Sequence, residues 1–548
     1  MHLLWKRPVT ADVAFVAGSV HTSTRPGSPM TAVALSGDVI AHVGTDATIG
    51  DHIGPATQVV DLAGRSLLPG FQDAHVHPCT AGVELQRCNL LPLETADDYT
   101  RTIAAYATEH PLASWIQGKG WAMDAFEGGT PKAALLDTVV TDRPAIFMNR
   151  DGHGAWVNTR ALDVAGITAT TPDPRDGRIE RDPDGTPSGT LHEGAADLVL
   201  RHAPPIEERE IEAGILAAER YLLSLGITAW QDAWVEPSQH AAYVSLAARG
   251  KLTAFVIGAL WWNRHRGLDQ IADLEARRSE AGGGRYRATT VKIMQDGVAE
   301  NSTAALLEPY LGPDGLPTSN AGLSFVDPIE LKGITTALDS RDFQIHFHAL
   351  GDRAVRESLD ALETAQRSNG PSTGRHHLAH LQLVDPNDYA RFATLDATAN
   401  AQPLWAHHDR YQDDLTIPFL GAARAALQYP WRSLLDAGAH LALGSDWDVS
   451  TPNPFEILHV AVTRRHPDGG DRPAFFPAER ISLDEAIAAY TLGSSHINHR
   501  DDAGDIAVGK VADLVVANCS LGAAAADDEL AAVECDMTFV AGELVHEV

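Results

Sequence analysis

Cysteine is scarce: the 548-residue chain has four, at positions 79, 88, 519 and 535, with no C-x-x-C pair among them. That pattern argues against both a disulfide framework and a thiolate-held structural zinc. Long apolar runs are missing as well, since none reaches the roughly 18 residues a membrane span needs. The opening stretch MHLLWKRPVTADVAF carries an apolar patch too short for a secretory leader, with no small-residue cleavage site after it. The expected location is therefore cytoplasmic. Positive charge is the third shortage. Lys and Arg number 42 against 73 Asp and Glu, a net charge of −31. Such a surface repels phosphate backbones and anionic lipid, so neither nucleic acid nor membrane is expected as a partner. With 44% apolar and 21% charged residues the composition is that of a globular chain, not a disordered one.

What the chain has in number is histidine, 25 residues, many in tight clusters. Neutral imidazole is the commonest metal ligand, so these clusters organise the reading. Residues 12–65 look like short β-branched strands separated by turns. From residue 66 onward, strand-length apolar runs alternate with amphipathic helical stretches. Eight such runs occur, at 66–77, 226–233, 252–260, 288–297, 342–349, 375–383, 396–403 and 440–448. Eight buried strands alternating with helices predict an α/β fold, a (β/α)8 TIM barrel. The wide gap between the first two runs, rich in Pro and Gly turns, predicts an insertion at about 80–215 after barrel strand 1. The final strands, including DMTFVAGELVHE, have no barrel to join. They are expected to return to the N-terminal strands, giving a composite β-sandwich of 1–66 plus 500–548 around a barrel of 67–499.

Active sites of such barrels sit at the C-terminal ends of the strands. Strand 1 ends in His75-Val-His77, two imidazoles of one parity that can reach one ion. Lys292 lies inside the apolar run VKIMQDG, where burial disfavours an ammonium. It either snorkels or pairs with an acid, or it takes up carbon dioxide as a carbamate able to bridge two cations. Strand 5 ends in His346-Phe-His348, with His348 nearer the mouth and His346 one layer deeper as a hydrogen-bonded core residue. On strand 6, parity puts His376 and His380 on one face, with His380 nearer the mouth. Strand 8 ends in Gly444-Ser445-Asp446-Trp447-Asp448, where Asp446 can bind metal and move a proton, with Asp448 second in line. Each feature alone is weak. His-x-His, Lys, His, His and Asp in order on strands 1, 4, 5, 6 and 8 suit Zn²⁺ or a similar divalent ion in an open site.

The blocks LLPGFQDAHVHP, RDGHGAWVNTRAL, GTLHEGA, VKIMQDG, HFHALGDRAV, LAHLQLV, AQPLW, LGSDWDVSTPNP and GDIAVGKVADLVV together resemble the amidohydrolase superfamily over nearly the whole chain. The resemblance is to its YtcJ-like metal-dependent members, which include N-substituted formamide deformylase. One departure is Ala379, where many members carry Glu before the strand-6 histidine.

The resemblance implies that His75 and His77 hold one metal, that His348 and His380 hold a second, and that carboxylated Lys292 bridges them. It gives Asp446 two roles, metal ligand and general base, then acid to the leaving amine. The implied activity is hydrolysis of a C–N bond, amide or formamide in type, in a small molecule by metal-activated hydroxide, with one or two Zn²⁺ as cofactor and two preferred. Mononuclear deaminase-like chemistry, lactone or ester hydrolysis on the same barrel, and a non-catalytic binding protein are the alternatives. His153 in DGHGAWVN is a candidate catalytic residue at the substrate or developing oxyanion, or a structural residue of a Gly-rich turn. Trp156, Gln402, Trp405 and Trp447 are candidates for substrate contact, against the blander reading of packing and strand capping. Asp296 is expected to orient a metal ligand, and His192-Glu193 to do the same or to form a loop ion pair. The expected partners are a small-molecule substrate and, as an open option, a second copy of the chain in a homodimer.

Overall fold

The computed structural model describes residues 10–24, 30–526 and 528–548. The opening residues 1–9, read above as part of too short a leader, lie outside the described residues. Eight strands form one parallel sheet: β1 (Phe71–Val76), β2 (Ile227–Val235), β3 (Phe255–Trp261), β4 (Tyr286–Met294), β5 (Gln344–Ala349), β6 (His377–His380), β7 (Thr398–Ala401) and β8 (His440–Leu443). They pair in chain order, each parallel to the next. Closure comes just past β8. The Asp446 amide donates to the His75 carbonyl at 2.8 Å, and the His77 amide to the Trp447 carbonyl at 2.6 Å. All eight apolar runs of the sequence overlap one of these strands, and the fold is the (β/α)8 barrel they predict.

The strands were legible because a parallel sheet covered on both faces reads as a continuous apolar run. In β5 all six residues are buried. The helix after it, Asp352–Asn369, shows the complementary pattern. Its buried positions include Val355, Ser358, Leu359, Leu362 and Ala365, a stripe at helical spacing turned to the barrel. Gly370, at φ 93°, ends it with a backbone that residues with a Cβ avoid. Leu359 is fully buried, and truncation to Ala there should cost about 2–5 kcal/mol.

Strands from both ends of the chain build two further sheets. One contains Val13–Val16, Ala32–Ser36, Val39–Gly44 and Gln58–Asp61. The other contains Ser19–Val20, Ser66–Pro69, Leu514–Ala517, Cys535–Val540 and Glu543–Glu547. Antiparallel pairing of Leu514–Ala517 with Ser66–Pro69 joins the termini, and Phe15 meets Phe539 edge-on at 5.2 Å between the two sheets. Between β1 and β2 lies a six-stranded sheet that runs in sequence from Cys88–Asn89 to Pro187–Glu193. Among the described residues no helix is long and apolar enough to cross a membrane.

Candidate metal centre

Register sets the depth of each side chain. Lys292 of β4 pairs with His346 of β5, which pairs with His377 of β6, so the three share one layer of the barrel. His348 stands one step nearer the mouth, level with Met294 and Ala379. Sequence parity put His376 and His380 on one face, and the structure corrects this. His376 turns to Asp339 of the neighbouring helix at 3.0 Å, and His377 faces the barrel interior. The backbone of His380 has φ 80°, which breaks the alternation and swings its ring inward. Asp446 (φ 56°), Leu381 (φ 49°) and Glu193 (φ 51°) are likewise held in the left-handed region. That conformation is costly for non-glycine residues, and such strain gathers at functional sites.

His75, His77 and Asp446 converge, their ligand atoms all within 4.8 Å of one another. Asp446 Oδ1 lies 3.3 Å from His75 Nε2 and 3.1 Å from His77 Nε2. Its other oxygen faces His380 Nδ1 at 3.9 Å. Burial alone would raise the Asp446 pKa, but the adjacent His75 and His77 hold it well below the carboxylate range. His348 packs on His380 with ring centroids 4.4 Å apart. Asp296 is beside His348, its Oδ1 3.3 Å from Nδ1, and is itself held by the amides of Ala305, Leu350 and Gly351.

The donors fit a divalent metal. His380 is 2% exposed, yet neither of its ring nitrogens has a hydrogen-bond partner. Buried polar atoms are seldom left so unless something else engages them. Burial and the nearby Lys292 push His75 down to about 3, leaving the neutral imidazole a metal requires. Burial pushes Lys292 down to about 7, with Asp446 opposing, so a free amine is accessible near neutrality.

The His75 tautomer is fixed from a distance. The Gln344 amide nitrogen donates to the Arg375 and Ile497 carbonyls, so its oxygen accepts, from Thr290 and from Gln231 Nε2. Gln231 Oε1 must then accept, from His346 Nδ1 at 2.7 Å and His377 Nε2 at 3.0 Å. That leaves His346 Nε2 as acceptor for His75 Nδ1 at 2.9 Å. The lone pair of His75 Nε2 is thereby turned toward Asp446 and His77. Asp73, fully buried, adds rigidity by accepting from the amides of His75 and Ser445 and from the Tyr490 hydroxyl.

Other expected residues are placed as follows. His153 Nδ1 meets Glu193 at 3.0 Å, and its ring lies 5.3 Å from that of His348. Burial opposes its charge, but Glu193 wins and raises it to about 9. Glu193 also accepts from Thr303 at 2.8 Å, while His192 faces Glu180 at 3.0 Å. Trp405 stacks on His380, centroids 5.1 Å apart and planes at 5°. Three expectations of substrate contact need revision. Gln402 uses its oxygen on the His380 amide and its nitrogen on Asn400, so it braces the strained His380 backbone instead. Trp156 is fully buried between Trp121 and Phe126 in the inserted sheet's core, donating to the Lys132 carbonyl. Trp447 is 7% exposed, belongs to the barrel's apolar core and packs on Tyr221. Asp448, second in line as a base, is bound to Lys119 of the inserted sheet at 2.8 Å.

Sequence reasoning passed over Gln231, Asp73 and Lys119. The available signal was a polar residue inside an otherwise apolar strand, as in AWQDAW and GFQDAH.

A model of the amidohydrolase family matches residues 58–546. Protein LONG AFTER FAR-RED 3 of Arabidopsis thaliana is 30% identical, over 93% of this chain and 87% of its own. N-substituted formamide deformylase of Arthrobacter pascens is 29% identical over 98% of both chains. A crystal structure of an uncharacterized metal-dependent hydrolase from Pyrococcus furiosus superposes with a TM-score of 0.69 at 23% identity, covering 92% of this chain and 98% of that one. With a family match over most of its length, the chain belongs to the amidohydrolase family.

Proposed function

We propose that the protein is a metal-dependent hydrolase that cleaves the C–N bond of a small amide or formamide. The observation that carries this reading is the convergence of His75, His77 and Asp446 beside a buried His380 whose ring nitrogens are unpartnered. His75, His77 and Asp446 would hold one divalent ion such as Zn²⁺. His348 and His380 would hold a second, with Lys292, as its carbamate, between them. When bound, such ions supply Lewis acidity toward water and a carbonyl oxygen.

The remaining work falls to the chain. Asp446, kept ionised, takes the proton of the attacking water and returns it to the leaving nitrogen. His153 has Nδ1 anchored on Glu193, leaving Nε2 as the ring edge for the oxygen on which charge develops. Trp405, flat against His380, walls the site and limits access of bulk water.

A mononuclear centre is the second reading. It is favoured by one fact: among the described residues, His75, His77 and Asp446 form the group that converges tightly enough to hold an ion. Metal-replete enzyme should release amine from N-substituted formamides or amides in a panel that also contains lactones and aryl esters. Turnover confined to lactones or esters, or no turnover with metal bound, would overturn the C–N reading.

A further inference from the structure

Trp405 faces two places at once. It stacks on His380, and it also lines a cavity of about 330 Å³. That volume is at the lower end of the range for small organic ligands. Five acidic side chains line the cavity, Asp151, Glu300, Asp409, Glu456 and Asp468, against the Arg150 guanidinium and the imidazoles of His407 and His466, the last of which faces Asp468. Arg150 donates from one terminal nitrogen to the carbonyls of Leu91 and Leu93, while its Nε is buried without a partner. Tyr411 and Tyr429 add aromatic surface.

Two acceptor atoms at this cavity lack counterparts. Gln412 lines it, is 6% exposed, and its Oε1 has no hydrogen-bond partner. Asp151 Oδ2 is buried and equally unpartnered. Burial, with Asp151 next to it, pushes Glu300 up to about 8, and burial raises Asp409 to about 6. At pH 7 Glu300 is therefore mostly protonated while Asp409 is mostly ionised, and a cation entering among these groups would favour release of the Glu300 proton.

That cation need not be a bare metal ion. Among the described residues, the group with ligand atoms within 4.8 Å of one another is His75, His77 and Asp446, none of which lines this cavity. Carboxylates spread around a volume with aromatic walls suit an organic cation, which offers several N–H donors and can lie against aromatic faces.

We infer that this cavity is a subsite for a protonated amine carried by the substrate, so that the amide cleaved at the metal centre belongs to a small cationic molecule. The inference rests on the proposed hydrolase reading, since Trp405 is what joins the subsite to the centre.

The test is calorimetric binding to metal-replete enzyme at pH 7 and fixed ionic strength, using benzylammonium, benzyl alcohol and benzoate. Benzylammonium should bind at least 10-fold more tightly than benzyl alcohol, and benzoate more weakly than either. Asp409→Asn and Glu300→Gln should each weaken benzylammonium at least 5-fold and leave benzyl alcohol unchanged, with circular dichroism confirming that each variant is folded. Equal affinity for ammonium and alcohol, or wild-type benzylammonium binding by both folded variants, would overturn the subsite. So would displacement of benzylammonium by stoichiometric Ca²⁺ or Zn²⁺, which would make the cavity a metal site. The readout needs no turnover. Ammonium selectivity in an enzyme inert toward amides would sink the hydrolase reading alone, and amide turnover without that selectivity would sink the subsite alone.

Discussion

Replacing Gln231 by Met tests whether the metal centre is set up from below. Gln231 is fully buried and touches none of His77, His380 or Asp446 through its amide. Its oxygen nonetheless accepts from His346 and His377, and so dictates which nitrogen of His75 keeps its lone pair. Met fills a similar volume and accepts almost nothing. Two buried N–H groups lose their partner, at about 1–3 kcal/mol each. His346 can relieve its own loss by moving its proton to Nε2, but that puts a donor against His75 Nδ1. His75 must then protonate at Nε2, the nitrogen that faces Asp446, and becomes a poorer ligand. Partners that orient a metal-bound histidine are worth about 10–100-fold in metal affinity. We therefore expect Gln231→Met to weaken Zn²⁺ binding by about that factor in a chelator competition assay, with kcat largely restored at saturating metal. Wild-type Zn²⁺ affinity in a folded Gln231→Met protein would refute the relay.

Asp446→Asn should stay folded and lose about 10²–10⁴-fold in kcat, the scale of general acid–base catalysis; activity within a few-fold of wild type would remove Asp446 from that role. His153 is raised to about 9 against burial by Glu193, so its charged form is present through neutrality and is lost as pH rises through that value. kcat/KM should accordingly fall on the alkaline side, and a profile unchanged in His153→Gln would contradict a role for the imidazolium. Lys119→Met leaves Asp448 buried without its cation, and breaking such a pair costs about 3–5 kcal/mol. The variant should therefore show a clearly lower Tm, and an unchanged Tm would show that the ion pair adds nothing to stability.

The barrel could be read from the sequence because its signal is local. Each strand announces itself by a short apolar run, and the polar residues that close those runs lie at the mouth by construction. His75, His77, His348 and Asp446 needed only that geometry. The inward position of His380 was expected for an incomplete reason, because strict alternation would have left it beside His376 on the outer side, and a left-handed backbone turned it inward. The misplaced residues share a different cause. Gln402 and Trp156 were assigned by the chemistry they could perform, while their real partners, the His380 amide and the Lys132 carbonyl, are visible only after folding. Lys119 and Asp448 are 329 residues apart, and no spacing rule links them. Gln231 carries no chemistry of its own, and its importance comes from the polarity of a hydrogen-bond chain that starts at Gln344.

The central claim is that His75, His77 and Asp446, with Lys292, His348 and His380 beside them, form a hydrolytic metal centre. Anomalous diffraction at the zinc edge from crystals of the Zn²⁺-loaded protein tests it most directly. The account predicts one peak among His75, His77 and Asp446, and a second between His348 and His380, with a carboxylated Lys292 between the two. A single peak with unmodified Lys292 would replace the binuclear centre by the mononuclear one. No peak at His75, His77 and Asp446 in a metal-replete, active preparation would contradict the account altogether.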